Sequence, residues 1–464
     1  MPGYPRAVAA AFVAGLLATA APASASPPTV DPGALPPAGA PAPPDETEQR
    51  NLCTQARDAV DGPQPPAAQR ILDFEAVWPL TRGAGQKVAV IDTGVARHPR
   101  LPNLIPGGDY VATGDGTDDC DAHGTLVAGL IAASPMAGAG FAGGAPDVEV
   151  IAIRQSSRNF SDRNHRPDDA TARNSPGYGD VRTLGAAVRT AADLGATVIN
   201  ISEVACVAAA DGLDDRTLGA AVQYATDVRN AVVVVAAGNT GDLCRSPNPG
   251  GVDPLTPGGD PWSAVTTIAS PAWYDEYVLT VGSVEEDGSP SSYSLPGPWV
   301  DVAAPGSGIV SLHPTSGGLA DAYRGQDGPQ PIAGTSFAAP LVAATVALVR
   351  ARHPELDARA VMARIEATAH APAEGWNPRV GHGVVDPLAA VAGPDPVVRS
   401  QVAASVPIEP PRPAPSPDHR PRTVALAAGG GVCGVLAVAV VASIPLRRRA
   451  HRSPCPGEGN RHPA

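Results

Sequence analysis

Aromatic side chains are scarce: they make up 4% of the 464 residues, and Ala, Val, Gly and Pro dominate instead. That scarcity excludes a core built on large rings. It suits a closely packed α/β protein whose helices reach their sheet through small side chains. Lysine is scarcer still. Lys87 is the only one and every other basic residue is arginine, which reads as a bias of coding composition. A basic face is also missing, the formal net charge being −13. Nucleic-acid binding draws most of its affinity from phosphate neutralisation, so DNA and RNA are excluded as partners. No pair of cysteines has CxxC spacing, which argues against a zinc site, and no internal repeat is found. What remains is ample for a core, with 43% hydrophobic and 17% charged residues. The chain is nevertheless too long for one ordinary domain with appendages, unless that domain is large.

Charge is absent from two stretches, one near each end. Residues 7–21, AVAAAFVAGLLATAA, follow Arg6 and precede Ala23-Ser24-Ala25. A basic start, a short apolar run and a small-x-small site predict a secretory signal over 1–25. Residues 424–444, VALAAGGGVCGVLAVAVVASI, carry no charge and are long enough as a helix to cross about 30 Å of hydrocarbon. Leu446 to Ala464 then hold five arginines against one carboxylate, Glu458. Arginine clustered at the end of a span marks the cytoplasmic side. The expectation is a single-pass cell-membrane protein, with its span at 423–445, its body outside and a basic tail, 446–464, inside. Cys53, Cys120, Cys206 and Cys244 fall in the exported body, where three pairings are open. Cys433 falls in the span and Cys455 in the tail.

Between the ends, 26–65 is a Pro-rich N-terminal extension, 66–400 the body and 401–422 a Pro-rich spacer. Apolar, β-branched runs predict strands at Lys87–Ile91, Val148–Ile153, Thr197–Ser202, Ala231–Ala236 and Tyr277–Val281. Most are apolar on both faces, as parallel strands covered by helices are. Helical periods fall at Gly124–Ala133, Val181–Leu194, Asp215–Val228 and Phe337–Arg352. The alternation predicts a doubly wound, mostly parallel α/β sheet flanked by helices. The polar stretch 154–180 breaks the rhythm and reads as a mobile insertion. Acidic residues at Asp115, Asp118, Asp119 and Asp121 lack EF-hand spacing and read as a solvated loop. The reading assigns no metal ligand and no cofactor; a structural calcium ion elsewhere is left open.

Four strand and helix ends carry chemistry. VAVIDTG brings Asp92 to the C-terminal end of a strand, where α/β sheets bind ligands. DAHGTLVAG puts His123 at the start of a small-residue helix. VVVVAAGN delivers Asn239 to the same sheet edge. In GTSFAAP, Pro340 is tolerated only in a first turn, so a helix begins at about Ser336. A helix N-terminus favours developing negative charge. Each residue alone has a bland structural explanation. Together they supply a serine, a histidine to take its proton, a carboxylate to orient that histidine, and an amide for the oxyanion.

The segments IDTGV, HGT-VAG, AAGN and GTSFAAP resemble the four signature segments of the subtilisin superfamily, over roughly residues 85–395. The resemblance implies catalytic Asp92, His123 and Ser336, with Asn239 and the Ser336 N–H as the oxyanion hole. Val198-Ile-Asn-Ile-Ser202 resembles the family's substrate-binding strand, so Ser202, Glu203, Val204 and Gly238 are expected to line the substrate cleft. The family usually continues with Leu-Gly-Gly, where this chain has Glu203-Val204-Ala205. A valine in place of a pocket-lining glycine predicts a narrow S1 pocket and small P1 residues such as Ala or Ser. The whole layout resembles the mycosins, membrane-anchored serine proteases associated with type VII secretion systems. That resemblance implies disulfides Cys53–Cys120 and Cys206–Cys244. It also implies an extension that wraps the body without inhibiting it, and a type VII membrane complex as partner. A rival expectation is a mainly structural subunit of such a complex, with proteolysis secondary.

Overall fold

The computed structural model describes residues 25–164, 177–241, 244–251, 259–394 and 420–450. The signal stretch at 1–24, the spacer to residue 419 and the tail beyond residue 450 lie outside them. The chain divides into a large unit, Met1–Val397, and a small one, Val398–Ala464.

At the centre of the large unit is a seven-stranded, all-parallel sheet. Its order is Val302–Pro305, Val278–Val284, Val232–Ala236, Val198–Ile201, Lys87–Asp92, Glu149–Arg154 and Leu104–Asp109. Because side chains alternate along a strand, each strand feeds two cores. Val88, Val90, Val232 and Val234 face one cluster, while Ala89, Ile91, Val233 and Val235 face the other. The first is covered by helices His123–Ala132 and Thr335–Arg352, which are buried along almost their whole lengths. Small residues allow that depth. The second cluster is covered by the amphipathic helices Val181–Asp193 and Arg216–Gln223. Asp180 caps the former by accepting from the N–H groups of Arg182 and Thr183.

All five expected strands and all four expected helices are present, within a few residues of their expected bounds; Arg216–Gln223 continues as one π turn over Tyr224–Val228. The two outer strands escape a sequence reading. Leu104–Asp109 contains Pro106, Gly107 and Gly108 and reads as a turn, yet an edge strand tolerates both residue types and here carries a register shift.

The Pro-rich extension is integrated into the body. Thr47–Gln49 pairs antiparallel with Phe160–Asp162, and Ala56–Ala59 joins the hairpin Leu319–Gly325/Gly328–Pro331. Arg189 donates to the Pro36 carbonyl, and buried Arg100 pairs with Asp61 at 2.8 Å. Cys53 is bonded to Cys120 and Cys206 to Cys244.

Two local expectations need correction. The ends of the 154–180 stretch are structured: Gln155, Ser156 and Ser157 are buried and Phe160–Asp162 is a strand. Residues 165–176 lie outside the described ones. The acidic loop is solvated only in part, at the exposed Asp115 and Asp118. Asp121 is buried and accepts from Ser157, Arg158 N and Asn159, while Asp119 accepts from Thr93, Thr125 and Asp121 N.

In the small unit, residues Arg420–Ala450 form one helix, in which the described side chains are exposed. Among the described residues no helix is long and apolar enough to cross a membrane. Here the described side chains are 424–439 and 441, so the span expected at 423–445 lies partly outside them.

Candidate active site

The strand order reverses about Lys87–Asp92, the point at which an open α/β sheet leaves a crevice at its C-terminal edge. Asp92 closes that strand and is fully buried. His123 opens the next helix, which lies close because Gly124 has no side chain: a Cβ there would stand 2.0 Å from the Gly94 carbonyl. The Gly124 N–H donates to Thr93, and Thr93 in turn donates to Asp119. Asp119 also accepts from Thr125, so one carboxylate ties the aspartate strand to the histidine helix. Burial pushes this carboxyl up to about 6.

Ser336 sits in the first turn of Thr335–Arg352, where backbone N–H groups lack helical partners. Pro340 does more than fix the start of this helix. It has no N–H to give the Ser336 carbonyl four residues back, and that carbonyl accepts instead from Ser202 Oγ at 2.8 Å. The substrate-strand candidate is thereby fastened to the serine it would serve.

The three residues form one line. His123 Nδ1 is 2.7 Å from Asp92 Oδ1, and His123 Nε2 is 2.9 Å from Ser336 Oγ. Phe337 packs on the imidazole with ring centroids 4.9 Å apart. Burial alone would push the imidazolium down; the Asp92 carboxylate, joined by Glu203, outweighs it and raises His123 to about 9. Only the neutral imidazole can take a proton from Ser336; the same Asp92 carboxylate then stabilises the imidazolium that forms.

Asn239 follows strand Val232–Ala236, and its Oδ1 accepts from Thr335 N and Oγ1 at 2.9 and 3.2 Å. The carbonyl end is thereby occupied and the amide end left to face the serine. A Cβ on Gly334 would stand 3.0 Å from Ser336 Oγ and 3.3 Å from Asn239 Nδ2, so this glycine keeps the space between the two open. Ser202, Glu203, Val204, Asn239, His123 and Ser336 line one cleft of about 610 Å³. Gly238 lies just behind, where a Cβ would meet Cys244 Sγ, Leu295 and Val204 at 3.2–3.5 Å.

Residues 83–383 match the Subtilase family of S8 peptidases. Mycosin-4 of Mycobacterium tuberculosis is 50% identical over 433 residues, covering 91% of this chain and 92% of that protein. The chain belongs to the subtilase family, among the mycosins. Mycosin-1 of the same organism is 44% identical, covering 94% and 98% of the two chains. A crystal structure of MycP1 from the ESX-1 type VII secretion system superposes with a TM-score of 0.75 at 45% identity, covering 80% of this chain and 98% of that one. The matching chain in an intact ESX-5 inner membrane complex gives 0.75 at 43% identity, covering 90% and 98%. This subtilase is accordingly a serine endopeptidase.

Several contributors are not evident from motifs. Thr93, Asp119 and Thr335 act behind the central residues; Thr93 and Thr335 merely adjoin them in sequence, and Asp119 reads as loop. Arg158, Tyr323 and Arg324 reach the cleft from segments without a signature. Asp92, His123 and Glu203 each bring one potential ligand atom within 4.8 Å of the others, the one grouping among the described residues able to hold a metal. Two of the three are already bonded to each other.

Proposed function

We propose that Ser336 attacks the carbonyl of a peptide bond, with His123 as base and then acid and Asp92 as its orienting carboxylate. The supporting observation is the unbroken pair of hydrogen bonds, 2.7 and 2.9 Å, from a buried carboxylate through an imidazole to a hydroxyl at a helix start. As Ser336 Oγ bonds to the carbonyl carbon, its proton passes to His123 Nε2. The resulting oxyanion takes hydrogen bonds from Asn239 Nδ2 and the Ser336 N–H. His123 returns the proton to the leaving amine, and water then repeats the sequence on the acyl-enzyme. Every catalytic group in this scheme is a side chain or backbone N–H of the protein.

The substrate is an exported protein, laid as an extended strand along Ser202–Val204. We place the enzyme in the cell membrane, held by the 423–445 helix with its body outside, as a component of a type VII secretion complex. The likeness to a chain of the ESX-5 inner membrane complex supports that setting. It equally supports a second role as a structural subunit. Complementation separates the two. In a deletion strain, Ser336→Ala that fails to restore cleavage of exported proteins, while restoring export, assigns proteolysis to Ser336 and a scaffold role to the body. Cleavage that persists in Ser336→Ala contradicts the catalytic assignment.

A further inference from the structure

Asn200 stands inside the central sheet, at a position where a valine or isoleucine would pack. Its neighbours in register are Val90 and Val234, both in the cluster covered by helices His123–Ala132 and Thr335–Arg352. The side chain is fully buried. Its Nδ2 donates to Ser202 Oγ at 2.9 Å, while its Oδ1 has no hydrogen-bond partner among the described residues. A buried amide oxygen without a donor costs stability, and an apolar side chain of similar size carries no such cost. Packing therefore does not account for an asparagine here.

Its bond to Ser202 does. Ser202 Oγ carries a single proton, and it donates that proton to the Ser336 carbonyl at 2.8 Å. This is the carbonyl that Pro340, having no N–H, cannot serve. Because Asn200 donates to the same hydroxyl, the hydroxyl proton is turned away from Asn200 and onto the carbonyl. The first turn of helix Thr335–Arg352 is thus held at two points. Thr335 is tied to Asn239 and to the Gly238 N–H, and Ser336 is tied to the continuation of strand Val198–Ile201.

We propose that Asn200 is a positioning residue, which orients the Ser202 hydroxyl and thereby fixes Ser336 relative to a peptide lying along Ser202–Val204. This rests on Ser336 acting as the nucleophile. The Ser202 backbone pairs with the peptide while its side chain grips the serine turn, so one residue sets the gap that Ser336 Oγ must cross. Attack is sensitive to that gap, since a misplacement of about 1 Å can cost about 10²-fold in rate.

The test compares the full chain in isolated membranes with Asn200→Val, Asn200→Ala, Ser202→Ala and the Asn200→Val/Ser202→Ala double variant. Of the two Asn200 substitutions, the alanine cannot overpack the site, so a folded variant is available if the valine is not tolerated. Exhaustive fluorophosphonate labelling counts competent serines, and kcat is expressed per labelled site. Each single variant is expected to lower kcat about 10–100-fold with KM within about threefold, because backbone contacts to the peptide remain. The double variant is expected to fall no further than Ser202→Ala, since the two residues act in series. Pro340→Ala supplies an N–H four residues on from Ser336, and is expected to recover most of the loss in either kind of single variant. An asparagine that merely held the fold would not respond to that change.

Asn200 variants that turn over like the wild type per labelled site, with losses confined to Tm or to the number of sites, overturn the inference alone. So does a double variant whose losses multiply, or a Pro340→Ala substitution that recovers nothing. A wild type that neither labels nor hydrolyses overturns the triad reading with it.

Discussion

Asn239 spends its carbonyl on Thr335 and keeps its amide for the cleft, so the residue divides into a holding end and a working end. Asn239→Ala removes a donor needed only once charge reaches the oxyanion. It is expected to lower kcat by about 10²–10³, the loss known for the corresponding asparagine in subtilisin itself, with KM nearly unchanged. Steady-state kinetics on a peptide amide checks the split; equal losses in kcat and affinity would point to a disordered cleft. Val204 is expected to set the size of the pocket as Asn239 is expected to stabilise charge. Its Cγ2 would lie 3.5 Å from a Cβ on Gly238, beside the Cys206–Cys244 disulfide, so the pocket floor is crowded. Val204→Gly is expected to shift preference from Ala or Ser at P1 toward Leu or Phe by about 10–100-fold, the range a few buried methylenes confer. A P1 scan showing the wild type already cleaving after Phe would contradict the crowding argument.

At the scale of elements, the disulfide from Cys53 to Cys120 joins the extension to the loop three residues before His123. The bridged cysteines are 67 residues apart, and closing such a loop in the unfolded chain is worth about 4 kcal/mol in chain-entropy terms. Cys53→Ser/Cys120→Ser is expected to lower Tm measurably and loosen the extension, seen as faster proteolysis within residues 26–65. An unchanged melting curve would mean that strand pairing alone holds the segment. The extension also shows where sequence stops being legible. The central strands carried period and burial in their own residues, and Pro340 fixed a helix start to within a residue or so. Ala56–Ala59 and Phe160–Asp162 acquire their conformation from partners distant in the chain, so no local pattern marks them. Asp119 is similar: its two oxygens accept from Thr93 and Thr125, a role that only the packed helix and strand create. Asp92, His123, Asn239 and Ser336 were legible because each sits at the end of an element whose type its neighbours determine.

For the whole molecule, the parallel sheet positions chemistry by topology. Its order reverses about Lys87–Asp92, so strands bearing Ser202 and Asn239 lie on one side and the strand leading to Arg158 on the other. A helix from each end of the body, His123–Ala132 and Thr335–Arg352, crosses the same face and presents His123 and Ser336 to the cleft. The extension closes over this body without filling the cleft of about 610 Å³. The central claim is that this arrangement activates Ser336 in the full chain, and a fluorophosphonate probe tests it most directly. Membranes carrying the wild type, Ser336→Ala and His123→Ala are exposed in parallel, and labelled peptides are mapped by mass spectrometry. Labelling of the wild type at Ser336, lost in both variants, is the predicted result. Labelling that survives in His123→Ala at the wild-type rate, or none in the wild type while the protein remains folded, would contradict it.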